Sequence, residues 1–459
     1  MINNLINYFK DKKIIILGFG REGRSTYKLI RKYLKEQTIY IADQKENFQE
    51  DYDFLKNEKN AVYIGGKHYL ENLENYDVIM KAPGISCAGI DTTKYFHKIK
   101  SQLELLLEFF DIFTIGITGT KGKSTTSSLI YSILKDQNKK SMLLGNIGVP
   151  VFDYIEKIEK DTILVLEMSS HQLEYMELSP NIAILLNVYP EHLDHYDSFE
   201  KYAEAKCNIF RYQKPSDYFL YSTDNETLNN LAKNAHGLTY RVSLQGKEES
   251  DITLKGNHVY FQDKPIYNIK EPRKLLGDYN LNNIMFVLGV SEILKLDLQK
   301  TIQTIQNFEP LHHRLEFVGN YDGVLYYDNS IATIPLATIE AVKALKNVDT
   351  LIIGGMDRGL DYTEFIQYLN ESNINHIICM PKTGHDIAQK LKKEKTHVVD
   401  TMEEAVEVAK KVTQKGKSCL LSPAAASYGF FKNFEEKGDV YQNLVKTVPD
   451  RINNVKYMN

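Results

Sequence analysis

Short apolar runs alternate along this chain with stretches in which apolar positions recur every three or four residues. Polar turns bearing glycine or asparagine separate them. Apolar runs of this length read as buried strands and the longer periodic stretches as amphipathic helices, so their alternation predicts parallel α/β layers. Strands are expected at residues 13–17, 38–42, 112–117, 162–167, 182–187, 324–327, 350–353, 376–379, 397–399 and 418–421. A helix is expected over 21–34, and another where Leu129, Ile130, Ile133 and Leu134 fall on one face. Residues 213–272 are polar and turn-rich, with short alternating runs such as 258–261. They predict small antiparallel strands at the edge of the middle domain.

A chain of 459 residues corresponds to roughly three domains. The pattern divides them at 1–100, a Rossmann-like unit; 101–307, a P-loop ATPase-like unit; and 308–459, a second Rossmann-like unit. With 56 basic against 60 acidic residues the net charge is -4, which argues against a broadly basic nucleic-acid surface. Cys87, Cys207, Cys379 and Cys419 are scattered without a CxxC pair, so neither a zinc site nor a disulfide framework is expected and a reducing compartment fits. No apolar stretch approaches the roughly 18 to 20 residues of a membrane span, and the N-terminus lacks the apolar core of a signal peptide. A cytoplasmic protein without membrane insertion is expected.

The most specific chemistry lies at residues 116–126. Gly116, Gly119 and Gly122 precede Lys123, Ser124, Thr125 and Thr126, between a predicted strand and a predicted helix. The strict GxxxxGK[ST] spacing is not met, since Ile117 stands where its first glycine belongs. A glycine turn opening a helix still brings backbone N–H groups onto phosphate oxygens, with Lys123 as a mobile charge and Ser124 as a hydroxyl ligand for Mg²⁺. ATP is the expected ligand. Near the N-terminus Gly18-x-Gly20-x-x-Gly23 is followed about twenty residues later by Asp43, a dinucleotide fingerprint that also serves other nucleotides or a bare helix–strand contact. An NAD-binding protein is therefore the alternative from another class.

Other candidates follow predicted strands, where ligands of open α/β sheets gather. Glu167 opens the run to Glu174 and suits Mg²⁺, or else a helix start. Residues 187–196 hold two acids and two histidines, either a solvated loop or a polar site containing His192. Lys206, by itself, reads as a surface lysine on a helix. Gly277 and Asp278 read as a turn and helix start ahead of Asn280, and His313-Arg314 as a pair facing an anion or bridging domains. Loops at 328–333, 354–359 and 422–428 make a pocket for a small polar substrate.

Taken in order, residues 116–126, 145–148, 167–174, 187–196, Lys206, 277–280, His313-Arg314 and 422–434 resemble the Mur ligases of peptidoglycan synthesis, over nearly the whole chain. The runs Glu-Met-Ser-Ser-His-Gln-Leu-Glu and Ser-Pro-Ala-Ala-Ala-Ser point to the branch joining D-glutamate to UDP-N-acetylmuramoyl-L-alanine. The resemblance implies an ATP-dependent amide ligase working through an acyl phosphate, monomeric, with two Mg²⁺ sites. It implies that Gly119, Thr120, Lys121, Gly122, Lys123, Ser124 and Thr125 hold the ATP phosphates, with Asn280 at the adenine and Arg314 facing the nucleotide. Ser124, Glu167, His192 and a carbamylated Lys206 would hold the metals, and Lys123, Glu167, His192 and Lys206 form the catalytic set. Gly20, Arg21, Glu22, Asp43, Gly84, Asn146 and Ser169 would bind the UDP-substrate.

Thr333, Arg358, Ser427, Tyr428 and Phe434 would bind the amino acid. Here the chain departs from the family: Ile331 replaces a lysine that helps bind glutamate, and Arg358 replaces a second lysine. Arginine grips a carboxylate bidentately but with a different geometry. Tyr279 replaces a common histidine. L-Glutamate or another amino acid is the alternative these changes raise.

Overall fold

The computed structural model describes residues 1–146, 149–192, 195–391, 394 and 396–447. Ile147, Gly148, Leu193 and Asp194, quoted above within motifs, lie outside the described residues. The chain forms two compact units, one of 1–272 with 282–306 and one of 273–281 with 307–459.

The first unit holds two sheets. The smaller contains β1 (Ile14–Leu17), β2 (Ile39–Asp43), β3 (Ala61–Gly65), β4 (Val78–Lys81) and β5 (Ile99–Lys100), in the order β3-β2-β1-β4-β5, all parallel. β1 is apolar throughout because both faces are covered: Ile14 and Ile16 enter one core, Ile15 and Leu17 another.

The larger sheet contains β6 (Thr114–Thr118), β7 (Ser141–Gly145), β8 (Ile163–Glu167), β9 (Ile182–Leu185), β10 (Tyr218–Ser222), β11 (Leu238–Ser243), β12 (Ile252–Lys255), β13 (His258–Phe261) and β14 (Lys264–Asn268). Its order is β14-β13-β12-β11-β10-β9-β6-β8-β7. The antiparallel expectation for 213–272 holds only for the β12–β13 and β13–β14 pairings. β10 and β11 instead extend the parallel core sheet, and β12 joins β11 in parallel. The reason is burial: Phe219, Leu220 and Val242 are fully enclosed, which a solvent-facing edge ribbon would not require.

The second unit holds β15 (Glu316–Tyr321), β16 (Val324–Asp328), β17 (Val348–Ile353), β18 (His376–Cys379), β19 (Thr396–Val398) and β20 (Ser418–Leu421), in the order β15-β16-β20-β17-β18-β19. Only β15–β16 is antiparallel among these pairings. Alternate residues again divide between two cores: Leu351, Ile353 and Leu420 on one face, Ile352, Cys419 and Leu421 on the other. The α/β class expected from the sequence is observed. The four cysteines are buried thiols, and among the described residues no helix is long and apolar enough to cross a membrane.

Candidate active site

In the larger sheet β6 lies between β9 and β8, so the loops leaving their carboxyl ends are neighbours. Ile117 pairs with Glu167, and Thr118 with Leu185. That register alone brings the phosphate loop, the acid ending β8 and the loop after β9 to one place. Asn187 then ties two of them together. Its carbonyl accepts from Thr120 N at 3.0 Å, its side-chain oxygen from Lys121 N at 2.9 Å, and its Nδ2 donates to Lys121 O at 3.0 Å.

Gly122 caps the helix Lys123–Asp136 at φ +90°, and a Cβ there would meet the Asn283 side-chain oxygen at 2.5 Å. Both facts require glycine at the point where the loop turns into the helix. Lys123 folds back over the loop, its Nζ donating to Gly119 O at 2.8 Å and Thr120 O at 3.1 Å. Lys121 pairs with Glu191 at 2.7 Å.

Glu167 is 2% exposed. Its Oε1 accepts from Asn146 Nδ2 at 2.9 Å, whereas Oε2 is buried without a hydrogen-bond partner. An orphaned carboxylate oxygen in such a place is the chemistry a hard cation satisfies.

Lys206 overturns its surface reading: it is 1% exposed, with Nζ donating to Gly119 O at 3.1 Å. The helix Phe199–Arg211 presents Tyr202 and Lys206 on one face, four residues apart. Tyr202 OH bonds the Thr120 hydroxyl at 3.0 Å, and the Lys206 ammonium lies 4.8 Å from the Tyr202 ring. Burial, reinforced by the Lys123 charge, drives the Lys206 amine well below the usual lysine range. His192 takes φ +58° and sits in a ring cluster, 4.8 Å from His171 and 6.1 Å from Tyr202. His171 also packs on His195 at 4.1 Å, and His195 and Lys81 converge on Glu174 at 3.3 and 3.2 Å.

At the smaller sheet, Asp43 ends β2 and turns back on the glycine loop. Its oxygens accept from Phe19 N at 2.8 Å and Lys45 N at 2.9 Å. Gly20 caps the helix Arg21–Tyr33. Arg21 is exposed, and Gly84 has open space around it. Glu22 accepts from Gln172 Nε2 at 2.8 Å, and burial pushes its carboxyl up to about 7. Ser169 forms a capping box with Gln172 over the helix Ser170–Leu173.

Asn280 and Arg314 belong to the second unit. Asn280 is buried and donates to Leu276 O at 2.8 Å. His313 forms a buried pair with Asp328 at 2.7 Å, and Gln442 Nε2 also donates to Asp328. Of the expected amino-acid residues, Ser427 is buried with an unpartnered hydroxyl, Thr333 is half-buried, and Arg358 and Tyr428 are exposed. Phe434 opens the helix Phe434–Lys446, its ring 6.2 Å from His313.

The structure thus brings Gly119–Thr125, Asn146, Glu167 and Lys206 together around one loop. Asn187 and Tyr202, which secure that loop, were not singled out from the sequence. An amide directly after a buried strand was the available signal for Asn187.

Known proteins carry the same pattern. Residues 117–291 match the family model of the Mur ligase middle domain, and residues 313–425 that of the Mur ligase glutamate ligase domain. The chain is 32% identical over 454 residues to the UDP-N-acetylmuramoylalanine–D-glutamate ligase of Clostridium botulinum (strain 657 / Type Ba4), covering 96% of this chain and 98% of that one. It is 32% identical over 448 residues to the protein of the same name from Geobacillus sp. (strain WCH70), covering 95% and 98%. Among solved structures, the MurF ligase of Thermotoga maritima in complex with ADP superimposes with a TM-score of 0.60 at 18% identity, over 96% of this chain and 97% of that one, a likeness of fold. Relatives this similar, aligned over nearly the whole length, lead to one conclusion: the chain belongs to the Mur ligase family.

Proposed function

We propose that this protein is the ATP-dependent ligase that joins D-glutamate to UDP-N-acetylmuramoyl-L-alanine in peptidoglycan precursor synthesis. The observation that carries the reading is the meeting of Lys123, Glu167 and Lys206 at the loop after β6, in a chain whose relatives bear that ligase's name. The nicotinamide alternative falls with family membership.

The γ-phosphoryl group of ATP passes to the alanine carboxylate, forming an acyl phosphate and ADP. The glutamate amine attacks the acyl carbon, the amine proton is lost and phosphate leaves. The barrier lies in bringing anions together, so charge placement and orientation dominate. Lys123 leaves the Gly119 and Thr120 carbonyls to meet phosphate oxygens, and the amides of Gly119–Thr125 close around them.

The buried unpartnered oxygen of Glu167 fits a magnesium ion, which Ser124 at the helix start would share, and His192 and a carbamylated Lys206 would hold a second ion. Mg²⁺ there would neutralise phosphate charge. The depressed Lys206 amine fits carbamylation, since only the neutral amine combines with CO₂.

The division of labour follows 1–100 for UDP, 101–307 for ATP and 308–459 for the amino acid. Gly20, Arg21, Glu22, Asp43 and Gly84 serve the UDP end, and Asn146 and Ser169 the end that reacts. Asn280 and Arg314 are the residues that likeness to the family assigns to the nucleotide. Thr333, Arg358, Ser427, Tyr428 and Phe434 form the glutamate pocket. A cytoplasmic monomer is the form this reading assigns, and its small-molecule substrates need no nucleic-acid surface.

The test is ATP-dependent phosphate release with UDP-N-acetylmuramoyl-L-alanine, with D- and L-glutamate run side by side. Turnover with D-glutamate is expected. Turnover with L-glutamate alone would reassign the amino acid, and none with either would overturn the reading.

A further inference from the structure

Lys437 lies in the first turn of the helix Phe434–Lys446 and is 1% exposed. Its Nζ donates to Gly354 O at 3.0 Å, and its charge sits 5.6 Å from the Phe431 ring. Among the described residues no carboxylate lies within 4.0 Å of it. Burying an ammonium without a counter-charge is costly, so such a group is retained where something else supplies the charge.

Gly354 belongs to the loop leaving β17, and β16, β20 and β17 lie side by side in parallel, so the loops at their carboxyl ends are neighbours. Gly354 N donates to Pro423 O at 2.9 Å and Met356 N to Ala426 O at 2.8 Å, which joins the loop after β17 to the loop after β20. The next helix residue, Gly438, packs so closely on the end of β16 and its loop that a Cβ would fall 2.1 Å from His313 Nδ1, 2.5 Å from the Ser330 hydroxyl and 2.6 Å from the Asp328 carboxylate, which His313 already pairs. The hydroxyls of Ser330 and Ser427 are both buried without hydrogen-bond partners. One uncompensated cation and two unused hydroxyls therefore collect where the carboxyl ends of three parallel strands meet, the place where such sheets bind anions.

We infer that Lys437 is the buried counter-charge for one carboxylate of the incoming amino-dicarboxylate, a specificity-determining residue on the wall of its pocket. The inference rests on the ligase reading above. It also accounts for Ile331 without a cation: the charge comes from the helix start, while exposed Arg358 serves the second carboxylate.

The experiment uses the full-length enzyme and separates KM values for glutamate, ATP and UDP-N-acetylmuramoyl-L-alanine. Lys437→Met is expected to raise KM for glutamate by about tenfold to a hundredfold, leaving the other two unchanged, since a hydrogen bond to a charged group is lost. Lys437→Arg is expected to recover part of the loss. If Lys437→Met does not fold, Lys437→Gln replaces it, keeping a donor for Gly354 while removing the charge. An unchanged KM for glutamate, or an equal rise in all three, would overturn the inference. A wild-type enzyme inactive with either glutamate would instead overturn the ligase reading, whatever the variants do.

Discussion

Lys123 and Lys206 donate to the same acceptor, the carbonyl oxygen of Gly119, at 2.8 and 3.1 Å. Two ammonium groups converging on one carbonyl repel each other, and the one deeper in the protein gives up its charge more easily. That is Lys206, whose amine is shifted down by burial first and by Lys123 second.

A buried lysine that gives up its proton more readily, beside a cation, is suited to become a carbamate: the deprotonated amine attacks CO₂, a proton leaves, and the resulting anion attracts Lys123. Protein equilibrated with ¹³C-labelled CO₂ is expected to show one carbamate resonance that Lys206→Gln lacks. Two matching spectra without it would remove the carbamate from the site.

Glu167→Gln retains an oxygen for Asn146 while deleting the charge that Oε2 carries unpartnered. Phosphate release should fall by about 10²–10³-fold, the scale for losing one preorganised electrostatic group. Thermal stability should not fall, because a buried uncompensated charge has been relieved. Activity at the wild-type level would exclude Glu167 from the reaction.

Glu22 supplies a pH dependence with a definite sign. Burial raises its carboxyl from 4.5 to about 7, against the opposing bond from Gln172. Between those values the folded protein holds a proton that the unfolded chain has released, so Glu22 makes stability fall as pH rises through this window. Melting curves of Glu22→Gln should lie above wild type at pH 8 and converge with it near pH 4. Parallel curves across that range would count against the shift.

The His313–Asp328 pair should anchor the second unit. Burial opposes charge on His313, but Asp328, Asp439 and Glu316 outweigh it and raise its value; burial likewise opposes Asp328, and His313, Gln442 and Ser330 N outweigh it and lower its value. The histidine's contribution is complete below 6.5 and lost as pH rises through its raised value. The aspartate's is complete above 3.8 and lost as pH falls through its lowered value. Asp328→Ala should cost about 3–5 kcal/mol near neutrality, as measured by denaturant unfolding, because it leaves a buried histidine without its partner.

Much of this was legible along the chain. The phosphate loop declared itself through Gly119, Gly122 and Lys123, since the turn into a helix at φ +90° demands glycine wherever it occurs. Strands such as Ile14–Leu17 and Ile182–Leu185 were legible because burial on both faces leaves an uninterrupted apolar run. β10 and β11 were not: their polar surroundings resembled an edge, and only the parallel pairing of β10 with β9 and of β11 with β10 shows that they continue the core sheet.

The sequence by itself determined the α/β class, the phosphate loop and the order of motifs that marks the family, because each depends on local backbone chemistry or on a short period. Tertiary structure alone decided the burial of Lys206 and Lys437. A lysine within a charged helical run reads as solvated until distant segments close over it, and here the carbonyls of Gly119 and Gly354 do so from 87 and 83 residues away. Burial is a property of what packs above a residue, so these two buried amines emerged only with the folded chain.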